Sequence, residues 1–526
     1  MADRGFSKIV MDFIKTHKLE IFGLAAILLI ASFFYFYQIT QKGFFYYDEA
    51  FYMLNANTYA KMPRLILDYA TGTDSLQNLT TKYLPGVIFF QTTIKPAYIL
   101  LNTLGISIFG HHDFSAFIVN GLVSLGALIV LYFIAQRVTA SPAKSFLVAL
   151  FFTVSGYQIF YARSGRPTPL AGLFMLLGAL FYIKSLNSDG RIIDSKMRWV
   201  LLASGFFWSL MFMSHYNTFL ILFSVGIFEI FLFIKNKSTK ILFWRVIYLL
   251  VPFIGALVFI QTLTLLRDYL LVKAGYPRGV ESYFSELRSL VTELIGIQAK
   301  EKRNYWFYIS MIKTLNGWPY LILFLISPLI FFYKKWYLNL PLAFIFFITF
   351  SVIALASMGG LTLTRNIASV AGFMSLVVAL VFFEILHFFK GGYRTIGFLI
   401  FSIILFSQIQ INWEVINLKS GFKKAAQFLA AQDLPTEDIY AQAWPIFAFY
   451  LDRKVQIIDR NPETIHYVAD WGAENPLYSK AVAQGNLLAS FDNPMVNFLA
   501  VRSEVTLRAP SMLESDKIKI YKVKMR

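Results

Sequence analysis

Residues 19–40 read LEIFGLAAILLIASFFYFYQIT, an apolar run that is close to unbroken. About 20 apolar residues in a helix span the hydrocarbon core of a bilayer, so this run predicts a transmembrane helix. Basic residues precede it, at Arg4, Lys8, Lys15 and Lys18, and predict a cytoplasmic N-terminus. No small-residue cleavage site follows, which favours a retained span over a signal peptide.

The composition of the whole chain points the same way. Of its 526 residues, 57% are hydrophobic and only 15% are charged, whereas soluble domains average about 25% charged residues. The composition therefore fits an ordinary soluble enzyme poorly. The chain has no cysteine, so disulfides, cysteine–zinc sites and thiolate nucleophiles are excluded. In a soluble protein its net charge of +18 would suggest nucleic-acid binding, so the position of the charges matters.

Ten further apolar runs bring the predicted number of crossings to eleven. They cover residues 113–136, 145–161, 167–183, 199–214, 218–234, 246–266, 308–333, 338–357, 366–389 and 395–411. In this topology the segments assigned to the cytoplasm carry 18 Lys and Arg against 4 Asp and Glu. The positive charge is therefore mostly the pattern that orients a membrane protein, and no nucleic-acid partner is predicted.

The apolar segment 83–110 is the one ambiguous run. It holds Lys95 and a proline in its middle, and a charge at the bilayer centre costs about 2.5–3.5 kcal/mol on insertion scales. Counting it as a crossing would also send most of the basic loops outside. We therefore predict an interfacial or re-entrant element on the extracytoplasmic side.

These patterns predict an all-α polytopic membrane domain over residues 1–411, with two large outer loops at 41–112 and 267–307. Juxtamembrane helices are expected in the first loop. Residues 412–526 are less apolar and long enough for a small extracytoplasmic domain of α/β type. Its predicted elements are a helix at 419–432 and strands at 438–442, 454–458, 497–501 and 518–523.

Asp48 and Glu49 are adjacent carboxylates directly after the first span, within the aromatic stretch FFYYDEAFY at 44–52. Aromatic surroundings desolvate a carboxyl group and can raise its pKa toward the range of a general base. The alternative interpretation is an aromatic belt at the interface that carries two solvated acids.

Arg163 and Arg166 lie in the tight connection YARSGRPTPL at 161–170, and Arg365 lies in TLTRN at 362–366. The predicted topology puts all three outside, where the positive-inside rule disfavours arginine. Because the guanidinium fork suits phosphate, we predict a lipid-phosphate or diphosphate clamp. Helix capping and contacts with lipid headgroups are the alternative.

Other polar residues in the predicted outer loops are weaker candidates. Lys82, beside Tyr83, could reach a phosphate or anchor the chain at the interface. His111 and His112 are neighbours and would point different ways from a helix, so a metal site there is disfavoured. His215, in a predicted outer turn, is typical of a polar cap.

Taken together, these features resemble the GT-C glycosyltransferases, in particular the branch of protein mannosyltransferases and aminoarabinose transferases that use polyprenyl-phosphate sugars. Four features carry the resemblance: Asp48-Glu49 after the first span, a proline-containing apolar helix that ends in Phe109-Gly110, the Arg/Pro-rich connection 162–170, and Arg365 before a late span. The resemblance covers residues 19–411, and the C-terminal domain also fits that branch.

The resemblance implies that Asp48 is the base that takes the acceptor's proton and that Glu49 orients the acceptor or Asp48. It also implies that the three arginines lie near the phosphate of a polyprenyl-phosphate sugar donor. Many relatives have an arginine at the start of the second span, where this chain has Phe117. The resemblance therefore implies either that His111, His112 or Lys82 replaces it or that the donor phosphate is held differently.

The implied reaction is an inverting single displacement at the extracytoplasmic face of the plasma membrane. The acceptor would be a protein, a glycan or a lipid. No complete metal-ligand set is present and no cofactor is predicted, although a divalent cation is compatible with the sequence.

Two alternative functions stay open. An oligosaccharyltransferase-like enzyme would carry a Trp-Trp-Asp signature and an Asp-x-Asp in the first loop, whereas this chain has only Asp470-Trp471-Gly472 and lacks the second motif there. A transporter or flippase of an anionic lipid or lipid-linked sugar would place charges at mid-bilayer depth and show paired halves. The charges singled out above lie in predicted loops, and no repeat is visible.

Overall fold

The computed structural model describes residues 18–73, 95–186, 194–273, 306–358, 364–388, 394–432, 439–441, 443–453, 455–456, 467–470, 485–493 and 517–523, with single residues at 288, 292 and 483. Most of this chain is helical. The bounds of the first fifteen helices are α1 Lys18–Phe36, α2 Ile39–Lys42, α3 Tyr47–Ala70, α4 Pro96–Phe109, α5 Asp113–Thr139, α6 Pro142–Val154, α7 Gly156–Ala162, α8 Thr168–Leu186, α9 Ser195–Ser214, α10 Phe219–Asn236, α11 Thr239–Lys273, α12 Phe307–Tyr333, α13 Leu340–Met358, α14 Ala371–Phe388 and α15 Arg394–Asn417.

Long apolar helices form the main body of the protein. Ten of the spans within the described residues are long and apolar enough to cross a bilayer, and the bent pair α6–α7 makes an eleventh if it counts as one crossing. The predicted class, a polytopic helical membrane protein with about eleven crossings, is therefore confirmed. Helices α11 and α15 run past their predicted ends, to Lys273 and Asn417.

The third predicted span is not one straight helix. α6 and α7 meet at an angle of 60°. The hydroxyl of Ser155 accepts a hydrogen bond from the amide of Gln158 and so starts α7 as an N-cap. A Cβ on Gly156 would lie 1.9 Å from the carbonyl oxygen of Leu315, so only glycine lets α12 pack this closely. Apolar periodicity does not reveal such a bend, which is why the sequence predicted a continuous span.

After α1 and the one-turn helix α2, two longer helices, α3 and α4, lie at the end of the bundle where α1 finishes. α3 and α4 pack against each other, and α4 also packs against α5. These are the juxtamembrane helices predicted for the first loop. α4 has 14 residues, fewer than the roughly 20 that a crossing needs, so it is not a span by itself. Residues 83–94 of the ambiguous segment lie outside the described residues.

A small mixed sheet with two helices forms the C-terminal region. The helices are α16 Gly421–Ala430 and α17 Trp444–Leu451, and the strands are β1 Ile439–Ala441, β2 Tyr467–Asp470, β3 Gly485–Asp492 and β4 Lys517–Val523. The sheet order is β1-β2-β4-β3, with β1 parallel to β2 and the other two pairs antiparallel. The predicted α/β character is confirmed.

The individual predictions for this region differ in outcome. α16, β1 and β4 were predicted, whereas α17, β2 and β3 were not. The strand predicted at 454–458 was wrong for its described part, where Gln456 makes only an isolated bridge with Tyr440. The strand predicted at 497–501 lies outside the described residues. The division of the chain into domains at residue 411 stays a prediction.

The C-terminal region is fastened to the end of the bundle that carries α3. Asp113, at the start of α5, accepts hydrogen bonds from Lys423 Nζ at 2.9 Å and from the Tyr450 hydroxyl at 2.8 Å. Asp113 is buried, so these contacts tie α16 and α17 to the membrane helices. Phe44 adds an edge-to-face contact with Phe449, at 5.0 Å between ring centroids.

Candidate active site

The candidate site forms where α3 begins. Glu49, in the first turn of α3, accepts hydrogen bonds on Oε2 from the amides of Phe45 at 2.8 Å and Tyr46 at 3.2 Å. A glutamate that reaches back in this way satisfies amides that the helix leaves without partners. The start of α3, and with it Asp48, is held in place by the residue next to Asp48.

The same carboxylate also holds the arginine-rich connection between α7 and α8. Oε1 of Glu49 accepts a hydrogen bond from the amide of Gly165 at 2.8 Å, and the glutamate is fully buried. A Cβ on Gly165 would lie 3.1 Å from the Cβ of Glu49, so glycine allows this close approach. Glu49 thus joins α3 to the loop that carries Arg163 and Arg166.

Asp48 forms an ion pair with an arginine that is distant in the sequence. Its Oδ2 accepts a hydrogen bond from Arg365 Nη1 at 2.7 Å, across a separation of 317 residues. The two side chains are 32% and 19% exposed. The structure therefore brings together two residues that the sequence analysis singled out separately, and it leaves Asp48 accessible.

Side-chain amides hold the short segment that carries Arg365. Asn366 donates a hydrogen bond to the Tyr308 hydroxyl at 3.1 Å and accepts one from Asn217. All three residues are buried. Because Asn217 lies in the turn between α9 and α10, and Tyr308 in the first turn of α12, three inter-helix connections meet at this point. Arg365 is placed by that network.

Arg166 contacts Tyr46, which belongs to the aromatic stretch 44–52 that also contains Asp48. Its guanidinium carbon is 3.6 Å from the centroid of the Tyr46 ring, a distance typical of a cation–π contact. Its carbonyl accepts a hydrogen bond from Asn120 of α5 at 2.8 Å. The side chain is 2% exposed, so a positive charge is buried close to Asp48.

Lys95 is a further cation at the site, and the sequence analysis missed it as a site residue. Its Nζ donates a hydrogen bond to the Tyr52 hydroxyl at 2.7 Å and lies 4.8 Å from the centroid of that ring. It is 5% exposed. A lysine within an apolar segment is costly, which marks an intramembrane or buried cation as a functional candidate. In the sequence, the same cost argues only against a crossing at Lys95.

Opposing effects act on the carboxyl group of Asp48. Burial raises its pKa, but the charges of Arg365, Lys95 and Arg166 together outweigh burial and hold the pKa below its ordinary value of 3.8. Asp48 is therefore a carboxylate at neutral pH, surrounded by cations that come from three separate connections of the bundle.

Arg163 has different contacts from the other cations. Its Nη1 donates to the carbonyls of Phe34, Tyr35 and Tyr37 at 3.1, 3.2 and 2.9 Å, and its Nη2 donates to the carbonyl of Ile416 at 3.0 Å. It is 1% exposed. These carbonyls lie at the C-terminal ends of α1 and α15, where a cation is favourable. The contacts favour a bracing role for Arg163 over the predicted phosphate contact.

The two neighbouring histidines also contact other parts of the protein. His111 lies 3.2 Å from the carbonyl of Phe449, through Nε2, and its ring centroid is 4.2 Å from that of Phe449. The ring of His112 stacks on Phe114 at 4.8 Å. His111 therefore contacts the C-terminal region. At the place where relatives carry an arginine, the Phe117 ring lies 4.2 Å from the ammonium of Lys42.

Of the remaining candidates His215, Lys82 and Tyr83, the structure describes only His215. His215 is buried between α9 and α10, and its Nδ1 accepts a hydrogen bond from the amide of Asn217 at 3.2 Å. Lys82 and Tyr83 lie outside the described residues. Among the residues that are described, no group of three or more His, Asp and Glu side chains could hold a metal ion.

Comparison with known families gives a match to part of the chain. The sequence model of the family described as dolichyl-phosphate-mannose-protein mannosyltransferase matches residues 95–264, about a third of the chain. That segment includes Lys95, Arg166 and His215. No curated protein matches the chain by sequence.

Solved structures match over nearly the whole length. The apo structure of ArnT from Cupriavidus metallidurans has a TM-score of 0.56 at 11% identity, covering 96% of this chain and 98% of that one. The same ArnT bound to undecaprenyl phosphate has a TM-score of 0.54 at 12% identity with the same coverage. The oligosaccharyltransferase of Archaeoglobus fulgidus, tethered to an acceptor peptide, has a TM-score of 0.54 at 11% identity, covering 87% of this chain and 70% of that one.

The resemblance inferred from the sequence is therefore confirmed at the level of the fold. The match to ArnT covers 96% of this chain, and so extends over the bundle of about eleven spans and the small sheet that follows the last span. The chain has the GT-C fold of membrane glycosyltransferases.

Proposed function

We propose that this protein is a membrane glycosyltransferase that moves a sugar from a polyprenyl-phosphate donor to an acceptor hydroxyl at the extracytoplasmic face. Asp48 acts as the general base, and Arg365, Arg166 and Lys95 hold the donor phosphate. The N-terminus is cytoplasmic, the C-terminal region is extracytoplasmic, and the membrane is the plasma membrane. The acceptor is a protein, a glycan or a lipid.

The contact between Asp48 and Arg365 carries this proposal. The reaction needs a base for the incoming hydroxyl and positive charge for the departing phosphate, within a few ångströms of each other. An accessible carboxylate lies 2.7 Å from a partly exposed guanidinium. Two more buried cations act on the same carboxylate. A transporter or a scaffold has no need for a base at the centre of a cationic site.

The proposed chemistry is a single displacement. The acceptor oxygen forms a bond to C1 of the sugar as the bond from C1 to the phosphate oxygen breaks. The acceptor proton passes to Asp48, and the electron pair of the broken bond leaves with the polyprenyl phosphate. The three cations stabilise the charge that develops on this phosphate. Attack opposite the leaving group inverts the configuration at C1.

Donor binding would also make Asp48 a better base. The pKa of Asp48 is held below its ordinary value by Arg365, Lys95 and Arg166. A phosphate bound to these cations offsets their charge, so the pKa of Asp48 rises when the donor is in place. The base is then most effective in the complex that is ready to react.

The lipid part of the donor needs an apolar cavity between helices, and the described part of the bundle contains one. It has a volume of about 550 Å³ and lies between α9, α10 and α11. Its lining includes Phe219, Trp208 and Phe253, and Phe219 begins α10 directly after the turn that holds Asn217. None of the three cations lines the cavity, and its lining continues along α10 to Glu229. We assign the isoprenoid chain to it because Phe219 connects its lining to the turn that holds Asn217.

The test is transfer by the purified full chain in lipid nanodiscs. Undecaprenyl phosphate carrying one of a panel of radiolabelled sugars is supplied together with a membrane extract as the acceptor source, and loss of label from the donor is followed. We expect Asp48→Asn to abolish transfer while it keeps binding of undecaprenyl phosphate. Asp68→Asn, the same change later in α3, is the matched control and is expected to transfer like the wild type. Wild-type turnover by Asp48→Asn would overturn the catalytic assignment.

A further inference from the structure

His215 has one ring nitrogen in use and one without a partner. Its Nδ1 accepts a hydrogen bond from the amide of Asn217 at 3.2 Å, so the proton of the neutral ring is on Nε2. Nε2 is buried and has no hydrogen-bond partner among the residues that the structure describes. The side chain as a whole is 3% exposed. Burying an N–H donor without a partner is costly, so such a group asks for an explanation.

The neighbours of His215 are those of the candidate site. The charges of Lys95, Arg365 and Arg166 all act on its ring, and these are the cations that act on Asp48. The ring stacks on Tyr216, at 5.7 Å between centroids, and Lys95 Nζ lies 5.6 Å from the centroid of Tyr216. His215 is therefore close to the place assigned to the donor phosphate.

The ring is neutral at physiological pH. Burial lowers the pKa of His215 well below its ordinary 6.5, and Lys95, Arg365 and Arg166 lower it further, because a fourth positive charge among them is unfavourable. A neutral imidazole has one N–H, and the amide of Asn217 keeps that N–H on Nε2. The backbone amide of Asn217 therefore orients the Nε2–H group, and the protonation state of the ring does not change with the pH of the medium between about 6 and 8.

We propose that the Nε2–H of His215 binds the phosphate of the polyprenyl-phosphate donor as a fixed, uncharged hydrogen-bond donor. This inference rests on the proposed function and assigns an additional residue to its donor site. The ligand class is a phosphate monoester or diester at the head of a long isoprenoid chain. The histidine contributes direction, whereas Lys95, Arg166 and Arg365 contribute charge.

A structural role for His215 predicts different behaviour from a phosphate contact. As a cap only, His215 needs Nδ1, and asparagine replaces this acceptor well because it is one of the preferred N-cap residues. As a phosphate ligand, His215 needs Nε2–H. Glutamine, which is longer, places an N–H near the position of Nε2 but lacks the short acceptor. His215→Asn and His215→Gln therefore separate the two atoms of one ring.

The experiment measures binding to the full-length protein in nanodiscs with two probes. The first is undecaprenyl phosphate, and the second is undecaprenol, which has the same chain without the phosphate. We expect His215→Asn to weaken binding of undecaprenyl phosphate by about 10-fold or more, the range for losing a hydrogen bond to a charged group. Undecaprenol binding and the melting temperature should stay at the wild-type level. His215→Gln should recover part of the lost affinity even if its melting temperature falls.

Two outcomes would overturn the inference. If His215→Asn binds undecaprenyl phosphate within about twofold of the wild type, the histidine is a cap only. If His215→Asn weakens both probes equally, the effect is on the lipid chain or on folding. Failure of the proposed function is distinguishable, because it shows in the transfer assay as wild-type turnover by Asp48→Asn. Absence of a phosphate site shows instead as equal binding of undecaprenol and undecaprenyl phosphate by the wild type.

Discussion

Asp48 and Glu49 are adjacent acids that the structure places in different surroundings, and exchanging each for its amide should separate their roles. Glu49 is fully buried and its two oxygens accept three backbone hydrogen bonds. Asp48 is 32% exposed and faces Arg365. We expect Glu49→Gln to reduce stability and Asp48→Asn to reduce only transfer.

The size of the effect at Glu49 follows from its contacts. Glutamine has one acceptor oxygen, so its NH2 group must face either Gly165 or the amides of Phe45 and Tyr46. One buried N–H then loses its partner and meets another donor, which costs about 1–3 kcal/mol. The remaining bonds lose the strength that a charged acceptor provides, about 1 kcal/mol more. The total is about 2–4 kcal/mol.

A melting experiment can detect this difference. In a chain of this length 1 kcal/mol corresponds to about 1–2 °C, so Glu49→Gln, at about 2–4 kcal/mol, should melt about 2–8 °C below the wild type. Asp48→Asn removes a partly exposed ion pair, which contributes little, and should melt within about 1 °C of the wild type. Unfolding in detergent is commonly irreversible, so the variants are compared at one scan rate by the fluorescence of the nine tryptophans.

Either of two results would refute this assignment of roles. If Glu49→Gln melts with the wild type and yet loses transfer, the glutamate takes part in the chemistry and its positioning role is wrong. If Asp48→Asn melts as low as Glu49→Gln, the carboxylate of Asp48 is itself structural.

Arg365→Met removes the strongest of the charges that lower the pKa of Asp48, so the carboxyl pKa rises and the acid limb of kcat/KM should move to higher pH. In the wild type that limb lies below the ordinary pKa of an aspartate, because these cations lower the pKa of Asp48. A limb that keeps its wild-type position in Arg365→Met would contradict this assignment. Arg163→Met frees carbonyls at two helix ends and should lower the melting temperature more than it weakens binding of undecaprenyl phosphate, whereas Arg166→Met should do the reverse. The melting temperature and the affinity for undecaprenyl phosphate are measured for both variants. If the two variants lose equal stability and equal affinity, the two arginines do not have different roles.

The sequence was informative wherever a property is local. Spans were predictable because a helix in lipid must be apolar over its whole length. The polar residues of the first outer loop and of the tight connections stood out because such residues are costly in an apolar chain. On that basis Asp48, Arg166 and Arg365 were all singled out, and the GT-C resemblance was confirmed at the level of the fold.

The roles of several residues could not be predicted from the sequence around them. Glu49 and Asp48 look alike in sequence, and so do Arg163 and Arg166, because the partners that distinguish them are more than 100 residues away. Lys95 was noticed only as an obstacle to a crossing. The bend after α6 depends on the close approach of α12 to Gly156, which periodicity does not record.

The sequence by itself determined that this is a many-span membrane protein with acids and arginines gathered in the loops of one predicted side. Composition and length are sufficient for that, since the bilayer imposes the same requirement on every span. Only the tertiary structure decided which of these groups meet: Arg365 reaches Asp48, and Glu49 joins α3 to the loop of Arg166. The physical reason is that hydrogen bonds and ion pairs act over about 3 Å in space, without regard to separation along the chain.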